Sequence, residues 1–288
     1  MTEAGVTGYV GLGSMGSRMA TRLVAAGLPV VTWTRSGRSI DGAQPVRRLH
    51  ELTARCPVIV GCLLDDSAVE SVYLGAGGIL ESAAPGTLLV EHGTYSPALA
   101  RRIGDEARVR HVTFVDAPVT GGPEGADAGT LVSMAGGDQN ALDAHAALFA
   151  HYLARIERVG PIGSGLALKL VNQLLVSVHI VAVAEAASLL IATGIDTDRA
   201  ISILGGGWAA SAMLERELPR ALRGEFESAG ATIGNFIAVQ ELVADAIDEA
   251  GIRSRLLPEA RALFSEAVAA GWRQADPAAL VTMYTPAR

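Results

Sequence analysis

Lys169 stands near the start of a long apolar stretch, just after the turn Gly163-Ser164-Gly165, with Asn172 and Gln173 following. On a helix, positions i, i+3 and i+4 share one face. An amine held away from water loses the ordinary pKa of ~10.4 and becomes able to take up or return a proton near neutrality. The carboxamides beside it can hold an oxygen, although Asn172 serves equally well as a helix-to-helix hydrogen-bonding group. Far upstream the chain reads Gly11-Leu12-Gly13-Ser14-Met15-Gly16. Between the two lies Asp116-Ala117-Pro118-Val119-Thr120-Gly121-Gly122, which ends in a hydroxyl and two side-chain-free N–H groups. Such a segment suits a small carboxylate.

The upstream glycines have the spacing G-x-G-x-x-G. The first permits a tight turn, the second lets backbone approach a pyrophosphate, and the third lets a helix pack closely on a strand. The helix that follows presents free N–H groups and a partial positive charge to the phosphates. The motif follows the apolar run Val6 to Gly11 and opens a helical pattern, as a dinucleotide site requires. At the end of the second strand an NAD site places a carboxylate for the ribose 2′-hydroxyl. This chain has Thr34-Arg35-Ser36-Gly37-Arg38 there, and the first carboxylate after that strand is Asp41. Arg35 and Arg38 with the hydroxyls of Thr34 and Ser36 suit a 2′-phosphate, so the expected cofactor is NADP, with NAD less favoured. Leu63 and Leu64, beyond the strand Val58 to Leu63, are assigned to the same cofactor, and so is Thr94.

The elements that must position these groups change character part-way along. Strands are predicted at Val6–Gly11, Pro29–Thr34, Val58–Leu63, Leu88–Glu91, Thr113–Asp116 and Ser133–Gly137. Helices are predicted at Ser14–Ala26, Ser67–Tyr73, Pro97–Ala107 and Asn140–Ala150. Strand–helix alternation implies right-handed crossovers and a mainly parallel sheet. After Gly160 the strand signals vanish and helices are predicted at Leu166–Thr193, Thr197–Leu204, Met213–Arg223, Thr232–Ala250 and Pro258–Ala270. The expected fold is an α/β N-terminal Rossmann domain, residues 1–160, followed by an all-α substrate and dimerisation domain, residues 161–288.

Composition excludes several classes. The chain has 288 residues, half of them hydrophobic, and a formal net charge of −7. That is enough for two ordinary cores, and an acidic chain without basic runs has no electrostatic footprint for nucleic acid. Cys56 and Cys62 have neither metal-ligand nor redox-pair spacing and read as small buried hydrophobes, so no metal is implied and a reducing cytoplasm is expected. No secretory signal is read at the N-terminus. Leu166 to Ile191 is long and apolar, but Lys169, Asn172, Gln173, His179 and Glu185 interrupt it, so a helix buried in protein is expected rather than a membrane span. Helices apolar on more than one face imply a homodimer.

Taken in order, the GLGSMG turn, the DAPVTGG segment, Gly125-Ala126, Gly129-Thr130-Leu131 and Gly163-Ser164-Gly165 with Lys169 resemble the β-hydroxyacid dehydrogenase family. That family includes 3-hydroxyisobutyrate dehydrogenase and tartronate semialdehyde reductase. The resemblance implies Lys169 as general acid/base, Thr120-Gly121-Gly122 as the substrate carboxylate loop, and substrate contact from Gln173, where the family has Asn. It also implies a nicotinamide-side role for Thr94, with Gly93 in place of the family's Ser. Gln240-Glu241-Leu242 stands where the family carries Lys-Asp-Leu. The segment Thr232 to Leu280 is similar to imine reductases. The expected activity is therefore NADP-linked interconversion of a small 3-hydroxy acid and its semialdehyde or oxo acid. An imine reductase and a non-catalytic NADP(H)-binding module are the alternatives. Trp208, Met213 and Phe236 are read as core, with an apolar pocket wall as the other reading. His92 has no partner identifiable from sequence and is left out of the mechanism.

Overall fold

The structure, a computed structural model, describes residues 5–284. The chain divides into two compact units, Met1–Lys169 and Leu170–Arg288.

The first unit is a nine-stranded, mostly parallel sheet with helices between the strands. It runs β1 (Thr7–Val10), α1 (Ser14–Ala25), β2 (Val30–Trp33), β3 (Gln44–Pro45), α2 (Leu49–Thr53) and β4 (Val58–Gly61). Next come α3 (Asp66–Tyr73), α4 (Ile79–Ser82), β5 (Leu88–Glu91), α5 (Pro97–Val109), β6 (Thr113–Asp116), β7 (Val119–Thr120) and α6 (Gly122–Ala128). It closes with β8 (Leu131–Gly136), α7 (Gln139–Ala144), α8 (Ala146–Phe149) and β9 (Leu153–Gly160). The spatial order is β3-β2-β1-β4-β5-β6-β8-β7, with β9 beside β8. Strands β1, β4 and β5 are buried at every position, as parallel strands covered on both faces must be. Two apolar clusters cover the faces, one around Tyr9, Met19, Leu23 and Phe149, the other around Ile59, Tyr73, Ile103 and Phe114.

The strand order reverses direction from β1: β2 lies on one side and β4 on the other. Open α/β sheets bind ligands at the carboxyl ends of the strands beside such a switch point. The turn Gly11–Gly16 leaves β1 at that end.

Several elements escape the sequence pattern. β9 is exposed along most of its length and carries Arg155, Glu157 and Arg158, so it shows no hydrophobic alternation. It nevertheless pairs in parallel with β8. The predicted helix Asn140–Ala150 is broken in two at His145, whose ring nitrogen Nδ1 lies 2.9 Å from the carbonyl of Ala141. The glycine segment after Thr120, expected as a loop, becomes α6, started by Gly121 at φ +126° and Gly122 at φ +66°.

The second unit is helical among its described residues. Helix α9 (Ser164–Thr193) enters it, followed by α10 (Thr197–Gly205), α11 (Ala212–Arg223), α12 (Ile233–Glu249), α13 (Leu256–Ala269) and a 3-10 turn at Pro277–Met283. Ser211 and Thr232 accept hydrogen bonds from the third residue beyond them and so start α11 and α12. Helix α9 is long and apolar enough to cross a membrane by length and composition, yet only 28% of its most apolar window is buried. Within this chain, therefore, only part of the helix is covered. Leu168, Val171, Leu175 and Leu189 remain exposed on it. Trp208 is also fully exposed, against its reading as core, whereas Met213 and Phe236 pack into the cluster around Phe264.

Candidate active site

At the carboxyl end of β1 each glycine of the turn has a separate physical duty. Gly11 has φ +87°, and a Cβ there would meet the Cys62 carbonyl oxygen at 2.5 Å. A Cβ on Gly16 would collide with the carbonyl oxygen of Gly11. A Cβ on Gly13 would meet nothing within 4 Å. Gly11 and Gly16 are thus needed by the protein's own packing, while Gly13 leaves an open approach. Helix α1 begins at this point with no side-chain cap and no acidic residue in its first turn. Its N-terminus is electrostatically suited to a pyrophosphate.

A cleft of about 340 Å³ opens beside the turn. It is lined by Gly11, Leu12 and Gly13, by Thr34, Arg35, Ser36 and Arg38, and by Leu63 and Leu64. The two motifs and the β4 loop are therefore brought together as the sequence spacing implies. Ser14, Met15, Gly16 and Thr94 do not line this cleft. Met15 packs on the core, the Ser14 hydroxyl accepts from Arg18, and Thr94 is half-buried past β5. The two arginines differ. Arg38 donates to the carbonyl of Leu12, which ties the loop after β2 to the glycine turn. The Thr34 hydroxyl donates to the Arg38 carbonyl at 2.8 Å. Arg35 and Ser36 are exposed.

Lys169 lies on the first turns of α9 and is 6% exposed. Burial lowers its pKa from the usual lysine value to about 8. Its neighbours Leu168 and Val171 are exposed, so they are not what buries it. Asn172 and Gln173 are half-buried one turn on, with the Asn172 amide nitrogen donating to Gln173 Oε1 at 3.2 Å. Thr120 ends β7, and Gly121 and Gly122 carry the chain into α6.

Three residues at the strand ends were given no role by sequence reasoning. Glu91 ends β5 and is fully buried. Its carboxylate accepts from Leu63 N at 2.9 Å, Gly93 N at 2.8 Å and the Tyr73 hydroxyl at 2.9 Å. Burial raises its pKa to about 7 against the opposing pull of those donors. Asp116 ends β6, also fully buried, and accepts from Gly163 N at 2.7 Å and Leu166 N at 2.9 Å. Its pKa is raised to about 6, again by burial. His92 is held between the Ala117 carbonyl at 2.6 Å and the Tyr152 hydroxyl at 3.0 Å. Burial lowers its pKa to about 4, so it is a neutral structural imidazole. An acidic residue directly after an apolar strand, as in Leu88-Leu89-Val90-Glu91, is the signal that could have marked the carboxylates.

The family model for the NAD binding domain of 6-phosphogluconate dehydrogenase matches residues 6–160. That for the NAD-binding part of NADP-dependent 3-hydroxyisobutyrate dehydrogenase matches residues 163–284. The chain belongs to the β-hydroxyacid dehydrogenase family. It is an NAD(P)-dependent oxidoreductase of the hydroxy-acid dehydrogenase type. Among relatives, the NAD-dependent L-serine dehydrogenase of Pseudomonas aeruginosa is 37% identical over 70% of this chain and 70% of its own. The 3-hydroxyisobutyrate dehydrogenase of Mycobacterium tuberculosis, solved with L-serine, superimposes with a TM-score of 0.87 at 25% identity, covering 98% of this chain and 99% of its own. A reductive aminase from Aspergillus terreus shares the fold at 20% identity, with a TM-score of 0.60 over 99% of this chain and 100% of its own.

Proposed function

We propose that this dehydrogenase uses NADP in preference to NAD and interconverts a small 3-hydroxy acid and its semialdehyde or oxo acid, with Lys169 as general acid/base. The observation that carries the reading is the state of Lys169: a buried amine without a hydrogen bond or ion pair among the described residues, its pKa drawn down to about 8. A general base works best with a pKa near the operating pH. In the oxidation direction the neutral amine accepts the hydroxyl proton; in reduction the ammonium returns it. The bound nicotinamide supplies the hydride acceptor or donor. Thr120, Gly121 and Gly122 hold the substrate carboxylate, and Asn172 and Gln173 contact its oxygens.

The case for NADP rests on the loop after β2. Arg35 and Ser36 are exposed at the cleft, and no carboxylate stands between β2 and Asp41. A 2′-phosphate finds a guanidinium and a hydroxyl there, and a bare 2′-hydroxyl finds no acidic acceptor. The exposed apolar stripe Leu168, Val171, Leu175 and Leu189 supports a homodimer through α9. Leu175→Glu should then sediment as a monomer. Both cysteines are free, which suits the cytoplasm.

The test is oxidation of NADPH, followed by absorbance, against a panel of carboxylated aldehydes and cyclic imines. Turnover of a carboxylated aldehyde, with Arg35→Ala weakening NADPH far more than NADH, is the expected result. Turnover confined to imines would transfer the protein to the reductase alternative. NADPH binding without any turnover would leave a binding module.

A further inference from the structure

Strands β5 and β6 are neighbours in the sheet, and their last residues, Glu91 and Asp116, are register partners. Both are 0% exposed. Buried carboxylates are costly unless hydrogen-bonded, and each of these accepts from backbone N–H groups beyond the sheet edge, with the second oxygen of Glu91 taken by the Tyr73 hydroxyl. The loops are different. Glu91 gathers Leu63 N, which follows β4 and lies in the cofactor cleft, and Gly93 N, which follows β5. Asp116 gathers Gly163 N and Leu166 N, the entrance and first turn of α9, the helix that carries Lys169 one turn later.

The surroundings are shaped to these carboxylates. A Cβ on Gly61 would drive into the Glu91 carboxylate. A Cβ on Gly136 would meet Asp116 Oδ1 at 2.5 Å, and one on Gly165 would strike the Met134 carbonyl and approach the Asp116 carboxylate at 2.9 Å. Glycines on both sides therefore admit one carboxylate geometry and little else. The Asp116 carboxylate also occupies the position of a helix N-terminal anion for α9, where charge and N–H donors favour it.

We propose that Glu91 and Asp116 are positioning residues with divided duties: Glu91 sets the Leu63 loop for the cofactor, and Asp116 sets the helix of Lys169 for proton transfer. Neither touches the reacting atoms. Asp116 also begins the segment that ends in Thr120-Gly121-Gly122. One short stretch of chain thereby holds the acid/base helix at one end and the carboxylate loop at the other. This inference rests on the functional reading above for the role of Lys169, but its cofactor half does not depend on which substrate is used.

The division of labour is what a general structural role would not produce. Asp116→Asn replaces one acceptor with an NH2 group facing an N–H donor, so α9 shifts at its start. The expected result is a kcat lower by 10- to 100-fold, with the Kd for NADPH, measured by fluorescence titration, within twofold of wild type. Glu91→Gln should do the reverse: Kd for NADPH raised about tenfold and kcat at saturating cofactor within twofold. Gly136→Ala and Gly61→Ala disturb the same two carboxylates without removing them, and should reproduce the Asp116 and Glu91 phenotypes respectively. If both parameters move together in all four variants, or only thermal stability moves, the division is wrong. If Lys169→Ala keeps full turnover, the acid/base reading fails and with it the Asp116 half, while the NADPH titrations still decide the Glu91 half.

Discussion

Buried polar groups are treated in opposite ways at the sheet edge and on the long helices. At the sheet edge Glu91, His92 and Asp116 each have two or more partners within hydrogen-bonding distance. On α9 and α12, Lys169, Ser177 and Gln240 are just as buried. Among the described residues, however, Lys169 makes no hydrogen bond and the side-chain polar atoms of Ser177 and Gln240 have no partner. The difference separates groups that hold loops in place from buried groups that hold none. Paired groups fix loops in one geometry; an unpaired amine keeps a labile proton and a depressed pKa.

Removing the unpaired amine should have the largest effect. Lys169→Ala is expected to lower kcat by roughly 10²- to 10⁴-fold while NADPH binding survives. In the wild type, oxidation should rise with pH to a plateau above about 8 and reduction should fall above it, following loss of the Lys169 proton. A flat profile across that range removes the assignment.

The paired carboxylates should show themselves in the pH dependence of stability as well as in kcat and cofactor affinity. Folding raises Glu91 from 4.5 to about 7 and Asp116 from 3.8 to about 6. Between about pH 4 and 7 the folded chain therefore binds more protons at these sites than the unfolded chain, and their contribution to stability falls as pH rises. His92, lowered from 6.5 to about 4, has the opposite slope and offsets part of this. A tenfold difference in proton affinity between the folded and unfolded chain is worth about 1.4 kcal/mol. Glu91→Gln should flatten the wild-type decline in chemical-denaturation midpoint up to pH 7; an unchanged decline contradicts the burial-driven rise of the Glu91 pKa.

The glycine turn offers a smaller contrast of the same kind. Gly16→Ala forces a Cβ into the Gly11 carbonyl and should lower the thermal midpoint. Gly13→Ala meets open space and should leave that midpoint alone while weakening NADPH about tenfold, roughly 1.4 kcal/mol. Equal behaviour of the two would mean that the turn serves packing alone. Smallest is Gln240→Leu, which removes two buried unpaired atoms from between the apolar clusters of α12. It should raise stability by on the order of 1 kcal/mol, and a loss on denaturation would show that the amide is paired in solution.

Much of this was legible in the chain. The strand-turn-helix at Gly11–Gly16 and the cluster of Arg35, Ser36 and Arg38 are local, and local geometry is encoded by adjacent residues. The burial of β4 and β5 follows from their apolar runs Val58-Ile59-Val60 and Leu88-Leu89-Val90. What misled was equally physical. β9 hides because an exposed edge strand needs no apolar alternation, and α6 hides because two glycines at positive φ read as a loop. The arginines look equivalent in sequence and both are exposed, yet only Arg38 is tied by a hydrogen bond to the Leu12 carbonyl among the described residues.

By itself the sequence determined the fold class and the placement of the dinucleotide turn, and it singled out Lys169 as the candidate amine, because each is written in spacing and residue type. Only tertiary structure decided that Glu91 and Asp116 share a sheet edge, since strands far apart in the chain must pair before their ends meet. It also decided which loops those carboxylates tie, because a backbone N–H carries no side-chain signature and can be matched to its acceptor only when the chain is folded.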